Sequence, residues 1–270
     1  MMPRLAAVTC ILLTASLLVA CGQAPTATQS PADATSQAQQ ARLLATQMAQ
    51  GLQATLQYQE QAATATAEAI QDLLTGKEQW QTLLYETFDN NLNDWPTGED
   101  QEASLARILW TLDQGHYRWQ AQAIQGFVWW AYPEMEEADD FYLAADVQQV
   151  EGPPTGEVGL IFRLNELDEY YLYEIDAQGN FAVFIRQQDG WETLYDWSES
   201  RAILPESPNR LAVAAQASQL YFFINEQLVG SLIDDRLPSG KAGVLVGLSN
   251  EGDRGVWQFD NFELRRLPDS

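Results

Sequence analysis

Charged and aromatic residues that could hold a polar ligand are concentrated in a segment of short apolar runs, residues 157–191. The runs are rich in Tyr, Phe, Ile and Val and are separated by turn-forming residues, which predicts three consecutive antiparallel strands. Side chains alternate between the two faces of a strand. The aliphatic positions are therefore expected on the core face, and Arg163, Glu174 and Arg186 on the opposite face.

This opposite face allows two interpretations. The three charged side chains could form a cross-strand network worth about 0.2 to 1 kcal/mol per pair, or they could form the polar floor of a sugar site. Neutral carbohydrates stack on aromatic rings and need few fixed hydrogen-bonding groups. The predicted ligand-binding residues are Arg163, Tyr170, Glu174, Phe184, Arg186 and Trp191. Further candidates for an aromatic platform are Trp129, Trp130, Tyr195 and Trp197.

Nucleophilic catalysis by a triad is excluded by composition. The chain has one histidine, His116, and two cysteines, Cys10 and Cys21. A Ser-His or Cys-His site needs a histidine beside its nucleophile. His116 lies where a strand begins and is predicted to be a turn or edge residue. No cofactor is expected.

Charge also restricts the partners. The 14 basic and 38 acidic residues give a formal net charge of −24, a field that repels phosphate backbones and excludes nucleic acid. Such a surface suits solubility, a calcium ion or a neutral polymer. The acidic run at residues 133–140 lacks the spacing and the glycine of an EF-hand, so it is predicted to be a solvated loop.

The amino-terminal residues predict export. Arg4 is followed by a short apolar run, too short to span a bilayer, so residues 1–20 are predicted to be a signal peptide. The run ends in Leu-Val-Ala-Cys, which resembles the bacterial lipobox. This resemblance implies cleavage before Cys21, acylation of its thiol, and an extracytoplasmic protein attached to the cell membrane by lipid.

Two segments follow Cys21. Residues 21–36 contain two prolines and few bulky apolar side chains, which is typical of a flexible tether. Residues 37–84 are rich in Ala, Gln, Thr and Glu and contain no proline, which predicts a long helix. Its apolar stripe is a poor coiled-coil seam. A monomeric spacer is therefore favoured over self-association.

From Tyr85 the pattern becomes strand-like. Regularly spaced short strands without helical periodicity predict an all-β, two-sheet antiparallel sandwich. Besides the three strands at 157–191, strands are predicted near residues 106–112, 116–123, 141–147, 210–216, 220–224, 228–233, 242–247 and 256–264. Most of the nine tryptophans are expected in its core.

The two ends of this region carry a family resemblance. YETFDNNLNDW, from Tyr85, and VWQFDNFEL, from Val256, resemble the first and last strands of concanavalin A-like lectin/glucanase jelly rolls and their laminin G-like relatives. The resemblance covers residues 85–267 and implies that the last strand pairs beside the first. It also implies a structural calcium ion near this seam, with Asp89 and Asp260 as the candidate ligands.

Glu174-Ile175-Asp176 resembles half of a catalytic motif. Family 16 glycoside hydrolases of this fold carry E-x-D-x-x-E, whose outer glutamates are nucleophile and acid/base. Here Gly179 replaces the last glutamate, and a retaining enzyme needs a second carboxylate about 5 Å from the first. Residues 176–180 are instead predicted to be a hairpin turn with positive φ at Gly179. The resemblance extends to keto-disaccharide hydrolase-like sandwiches, by fold analogy only.

These observations favour a lipid-anchored cell-surface protein that binds a glycan or another surface polymer without catalysis. One alternative is a glycan-active hydrolase, for which two exposed carboxylates about 5 to 9.5 Å apart would be the evidence. A second alternative is a structural or protein-interaction domain.

Overall fold

The computed structural model describes residues 44–53, 57, 70, 75–100 and 104–266. The chain divides into two compact units, residues 1–68 and 69–270. The predicted signal peptide (1–20), Cys21 and the tether (21–36) lie outside the described residues, as does much of the predicted spacer. These predictions therefore stay predictions.

In the first unit, residues 44–53 are helical. Leu44, Met48 and Leu52 follow one another at a spacing of four and are exposed. Among the described residues, no helix has the length and apolar content needed to cross a membrane.

The second unit is a β-sandwich that follows a short 3-10 helix at Lys77–Gln79. Its strands are β1 (Gln81–Glu86), β2 (Gly98–Glu99), β3 (Ala106–Asp113), β4 (His116–Ala123), β5 (Phe127–Ala131), β6 (Phe141–Glu151), β7 (Glu157–Leu164), β8 (Tyr170–Asp176), β9 (Asn180–Gln187), β10 (Gly190–Glu199), β11 (Asn209–Gln216), β12 (Gln219–Ile224), β13 (Gln227–Ile233), β14 (Lys241–Leu248) and β15 (Arg254–Arg266).

The described strands form two antiparallel sheets. The nine-stranded sheet has the order β13-β12-β11-β6-β15-β4-β3-β2, with β1 also paired to β15. The six-stranded sheet has the order β10-β9-β8-β7-β14-β5. The three strands predicted within residues 157–191 lie side by side as β7, β8 and β9. The predicted all-β, two-sheet sandwich is confirmed.

The last strand closes the sandwich. β15 pairs with β6 from Val256 to Arg266, interrupted by a register shift after Asp260, while its other edge pairs first with β4 and then with β1. Glu86 lies opposite Phe262 in the β1 pairing, so the predicted pairing of first and last strands is confirmed. A register shift accompanies the change of partner, and Asn261 there has a positive φ of 48°.

The core lies between the two sheets. On β7, β8 and β9, the inward residues Leu160, Tyr173 and Val183 are fully buried, as the alternation predicted. Trp119 and Trp257, on the nine-stranded sheet, belong to the same core cluster and are also fully buried. Because each such ring removes about 150–250 Å² from water, these aromatic residues supply much of the driving force for closing the sandwich.

The sandwich begins earlier than the sequence indicated. Residues 81–84, predicted as the end of the spacer, belong to β1. Ile70 and Trp80 are buried against Ala212 and Phe223 on the outward surface of the nine-stranded sheet. The small side chains of Ala144, Ala212 and Ala214 leave room on this surface for the two larger side chains.

Candidate functional site

The face of the six-stranded sheet that points away from the core is called the outer face below. Its centre is apolar, because Ile161, Leu172 and Leu245 on three adjacent strands pack together and are buried. Their sequence neighbours, such as Leu160 and Tyr171, point into the core instead. Alternation on β8 and on the regularly paired parts of β7 and β14 therefore gives this sheet two apolar sides.

Aromatic side chains surround this apolar centre and form what we call the aromatic face: Trp130, Tyr132, Tyr170, Phe184, Trp191 and Trp197. The ring of Tyr170 lies between those of Trp130 and Trp191, at centroid distances of 4.7 Å and 5.8 Å. Phe184 contacts Trp197 edge-to-face at 6.2 Å. These contacts hold the rings in fixed orientations.

Two tryptophans of the aromatic face are open to solvent. Trp191 is 50% exposed and Trp197 is 37% exposed. The Arg186 guanidinium lies 5.9 Å from the centre of the Trp191 ring, and the Lys241 ammonium lies 5.2 Å from the Tyr132 ring. The aromatic face therefore presents planar apolar surfaces beside cationic hydrogen-bond donors.

The structure brings together most of the predicted ligand-binding residues. Tyr170, Phe184, Arg186 and Trp191 share the outer face, and Trp130 and Trp197 join them. The platform candidates Trp129 and Tyr195 instead pack against the core. Tyr132, Lys241 and Glu157 were not predicted. Tyr132 follows Trp130 at the period of two, a signal that was usable only once a strand had been assigned there.

The prediction that Arg163 lies on the outer face is wrong. Between Ile161 and Leu164, the register of β7 against β14 shifts, and Arg163 has a positive φ of 52°. Such a bulge breaks the alternation. The Arg163 guanidinium points between the sheets and donates hydrogen bonds to the carbonyl oxygens of Leu237 (3.0 Å), Asp139 (3.0 Å) and Ala217 (2.7 Å).

Glu174 does lie on the outer face but is not open to solvent. Glu174 is only 3% exposed, so the prediction that it lies on an open, solvent-facing surface is wrong. Its pairing partner is Gly159, and Arg186 pairs with Tyr170, four residues from Glu174 along β8. This separation is about 13 Å at 3.3 Å per residue. The charge ladder of Arg163, Glu174 and Arg186 is therefore not formed.

Asp176 shapes the turn between β8 and β9. Its Oδ1 accepts hydrogen bonds from the backbone N–H groups of Gln178 (3.0 Å) and Asn180 (2.9 Å). Gly179 has a φ of 92°, so the predicted hairpin turn with a positive φ is confirmed. The carboxylate of Asp176 acts as the acceptor that aspartate commonly provides in turns.

Glu157, Glu174 and Asp176 form an acidic cluster at one end of the outer face. Burial, followed by repulsion from Asp176, raises the pKa of Glu157 to about 7, although a hydrogen bond from Ser249 acts in the opposite direction. Burial also raises the pKa of Glu174, and Glu157 and Asp176 raise it further. The cluster therefore holds protons that isolated glutamates release near pH 4.

Comparison with known proteins bears on the fold. The sequence matches no family model and no curated protein. One similar solved structure comes from work on endo-acting O-glycanases that prominent members of the human gut microbiota express to initiate mucin breakdown. It has a TM-score of 0.51 and 10% sequence identity, and the match covers 70% of this chain and 100% of that chain. The chain has a concanavalin A-like jelly-roll fold.

Two further solved structures match this jelly roll less well. The carbohydrate-binding module CBM66 from Bacillus subtilis has a TM-score of 0.48 and 17% identity, covering 63% of this chain and 96% of that chain. The catalytic domain of an endo-1,3-beta-glucanase (laminarinase) from Thermotoga petrophila RKU-1 has a TM-score of 0.49 and 8% identity. This match covers 70% of this chain and 99% of that chain. Identities this low concern the fold alone.

The predicted calcium ligands lie near the seam of the jelly roll. Asp260 is on β15, and its pKa is raised by burial and by the charges of Asp146 and Asp89, while His116 lowers it. Asp89 accepts a hydrogen bond from Thr87 (2.9 Å). In the part of the chain that the structure describes, no three acidic, His or Cys side chains converge on a position that could hold a metal ion. The calcium site therefore stays a prediction.

A further cavity lies on the other sheet of the jelly roll. About 620 Å³ in volume, it is bounded by Arg107 and Leu109 on β3, Gln120 and Gln122 on β4, and Arg254 on β15. None of its described lining residues is aromatic. It therefore lacks the stacking surface on which the glycan hypothesis depends, and the aromatic face is the better candidate site.

Proposed function

We propose that this protein is a non-catalytic glycan-binding protein that is attached by lipid to the cell membrane, outside the cytoplasm. The observation that carries the binding function is the aromatic face, where exposed Trp191 and Trp197 flank an apolar floor and Arg186 supplies hydrogen-bond donors. A sugar ring has an apolar side that stacks on an indole and hydroxyl groups that need polar partners.

The fold gives weaker support, by analogy. The solved structure with a TM-score of 0.51 comes from a set of O-glycanases, so the jelly-roll architecture is compatible with glycan recognition. Since one fold hosts many functions, the argument for this chain depends on the residues of the aromatic face.

Three features favour binding over hydrolysis. Gly179 occupies the position of the second catalytic glutamate, Asp176 is engaged in the turn, and Glu174 is almost completely buried. One observation favours the hydrolase alternative, because Glu157 and Glu174 are neighbouring carboxyls whose pKa values are both raised. Pairs of this kind can act as acid and base, so hydrolysis needs a direct test.

Membrane attachment rests on the sequence alone. The apolar run that ends in Leu-Val-Ala-Cys motivates acylation of Cys21, and residues 21–68 would hold the jelly roll away from the membrane. A surface position outside the cell is where a glycan-binding domain meets polymeric glycans.

The binding function is tested with a glycan array, using the full chain with Cys21→Ser so that it is not acylated. We expect at least one class of glycan to bind, and Trp191→Ala to weaken that binding about tenfold or more, as expected of an aromatic anchor. Tyr85→Ala is the matched control, because Tyr85 is 53% exposed on the nine-stranded sheet, and its affinity should be unchanged.

Two results would contradict this proposal. If the protein binds no glycan, or if Trp191→Ala and Tyr85→Ala behave alike, the aromatic face is not a glycan site, and the structural or protein-interaction alternative becomes preferred. If the purified protein releases reducing sugar from a β-glucan and Glu174→Gln abolishes that release, the protein is a hydrolase.

A further inference from the structure

The acidic cluster of Glu157, Glu174 and Asp176 lies at the edge of the aromatic face. Glu157 on β7 is paired directly with Asp176 on β8, and Glu174 is paired with Gly159, the next residue along this face of β7. Directly paired side chains have Cβ atoms about 4.5–5.5 Å apart. Three carboxyl groups therefore occupy adjacent positions on two strands.

Glycines make room for these carboxyl groups. A Cβ atom at Gly247 on β14 would lie 2.1 Å from the Glu157 carboxylate oxygen Oε2, and one at Gly159 would lie 2.9 Å from the Glu174 Cβ. The Glu157 carboxylate thus extends over β14, towards β5, the strand that carries Trp130. At the usual strand spacing, the backbones of β5 and β7 are about 10 Å apart, which is comparable with the length of a disaccharide.

The cluster contains acceptor capacity that the protein does not use. Glu174 is 97% buried, and its Oε2 has no hydrogen-bond partner among the described residues. Asp176 is engaged by the turn, whereas Glu157 receives one hydrogen bond, from Ser249. Burying an unpaired carboxyl group is costly, and a positively charged ligand beside the cluster would offset part of that cost.

Charge indicates the kind of partner. The ion pairs of the described residues involve other carboxylates, so no Lys or Arg side chain neutralises the cluster. Arg186 belongs to the opposite end of β8, beside Tyr170. A sugar hydroxyl would leave the repulsion between the carboxyls uncompensated. An ammonium group supplies a positive charge and three N–H donors in a small volume.

We propose that the acidic cluster is a subsite for the ammonium group of an amino sugar, and that the protein binds glycans with free amino groups. Glu157, the least buried of the three carboxyls, loses its proton to solvent and accepts hydrogen bonds from the ammonium group, while the Asp176 side chain lies behind it and adds negative potential. Trp130 and the other rings of the aromatic face hold the neighbouring sugar residues. This inference rests on the proposed function and names its ligand class.

The test compares three oligosaccharides of equal length by calorimetry: β-1,4-linked glucosamine, N-acetylglucosamine and glucose. The protein is the full chain with Cys21→Ser, in about 150 mM salt, which screens the diffuse attraction of the net negative charge. At a pH of about 7, where about half of Glu157 is ionised before the ligand binds, we expect the glucosamine oligomer to bind at least about tenfold more tightly than the other two, as for a hydrogen bond between charged groups.

Two variants that each remove one carboxyl group test whether the glucosamine preference arises at the acidic cluster. Glu157→Gln should reduce the preference for glucosamine to about twofold or less, whereas Glu166→Gln, in the exposed turn between β7 and β8, should retain it. Thermal unfolding of each variant confirms that it is folded.

The outcomes separate this inference from the proposed function. Equal affinity for the three oligomers, lost in Trp191→Ala, overturns the ammonium subsite and leaves glycan binding intact. A glucosamine preference that Glu157→Gln and Glu166→Gln reduce alike reports diffuse charge, and it also overturns the subsite. If the array shows no glycan binding at all, the proposed function fails and the subsite fails with it.

Discussion

Replacing Arg163 with methionine should destabilise the jelly roll by about 3–5 kcal/mol, the cost typical of removing one partner from a buried charged interaction. Arg163 is 1% exposed and donates to three carbonyl oxygens, which come from the loop before β6, the β11–β12 turn and the loop before β14. One side chain therefore fastens three connections at one end of the sandwich.

The magnitude follows from these three hydrogen bonds. Each hydrogen bond to a charged donor contributes about 1.5–3 kcal/mol, which gives an upper range of about 4.5–9 kcal/mol. Two effects reduce it. Methionine preserves much of the packing of the aliphatic stem, and it removes the desolvation of the guanidinium that lowers the pKa of Arg163. Arg163→Lys keeps the charge but cannot reach three acceptors, so we expect about half the loss.

The assay is denaturant unfolding followed by tryptophan fluorescence. All nine tryptophans lie between residues 80 and 257, so the signal reports on the jelly roll. Arg201→Met, at an exposed position, is the control and should change the unfolding free energy by less than about 0.5 kcal/mol. A loss below about 1 kcal/mol for Arg163→Met, at an unchanged m-value, would refute the argument. Glycan affinity of the folded variant should equal that of the parent protein.

Three further predictions concern other parts of the chain. Cys21→Ser should abolish partition into detergent, and firm partition of that variant would exclude the lipid anchor. The pKa of Glu157 is raised to about 7, so the folded state binds this proton more tightly than the unfolded state does. The stabilisation is therefore fully present below about pH 4.3 and is lost as the pH rises through about 7. Urea titrations across this range should show that the unfolding free energy declines by about 1–3 kcal/mol, and by less in Glu157→Gln. Gly159→Ala would place a Cβ atom 2.1 Å from the Tyr173 carbonyl oxygen, so it should lower the unfolding free energy by about 3 kcal/mol or more. In the control Gly76→Ala, the nearest atom to the new Cβ is 3.7 Å away, on Trp80. Thermal unfolding should show that this control is neutral or stabilising.

Much of the jelly roll could be predicted because local patterns indicate its strands. Tyr171, Tyr173 and Ile175 alternate with residues of the outer face, and Gly179 marks the turn that follows. Three strands were missed: the two-residue β2 (Gly98–Glu99), β5 and β10. The last two were missed for physical reasons. β5 (Phe127–Ala131) is apolar on both faces and shows no alternation, whereas β10 (Gly190–Glu199) is a polar edge strand with two register shifts. Both contribute to the aromatic face, so its full extent was not predictable.

The sequence by itself determined which residues of β8 and β9 share a face, because a period of two is a local property of the backbone. It therefore placed Tyr170, Glu174, Phe184 and Arg186 together. Tertiary structure alone decided the position of Arg163, since the bulge that turns it inward arises from the pairing of β7 with β14, about eighty residues later in the chain. It also decided the burial of Glu174 and the approach of Glu157, because both depend on which strands become neighbours. Alternation predicts the direction of a side chain, whereas its surroundings are set by contacts between residues that are distant in sequence.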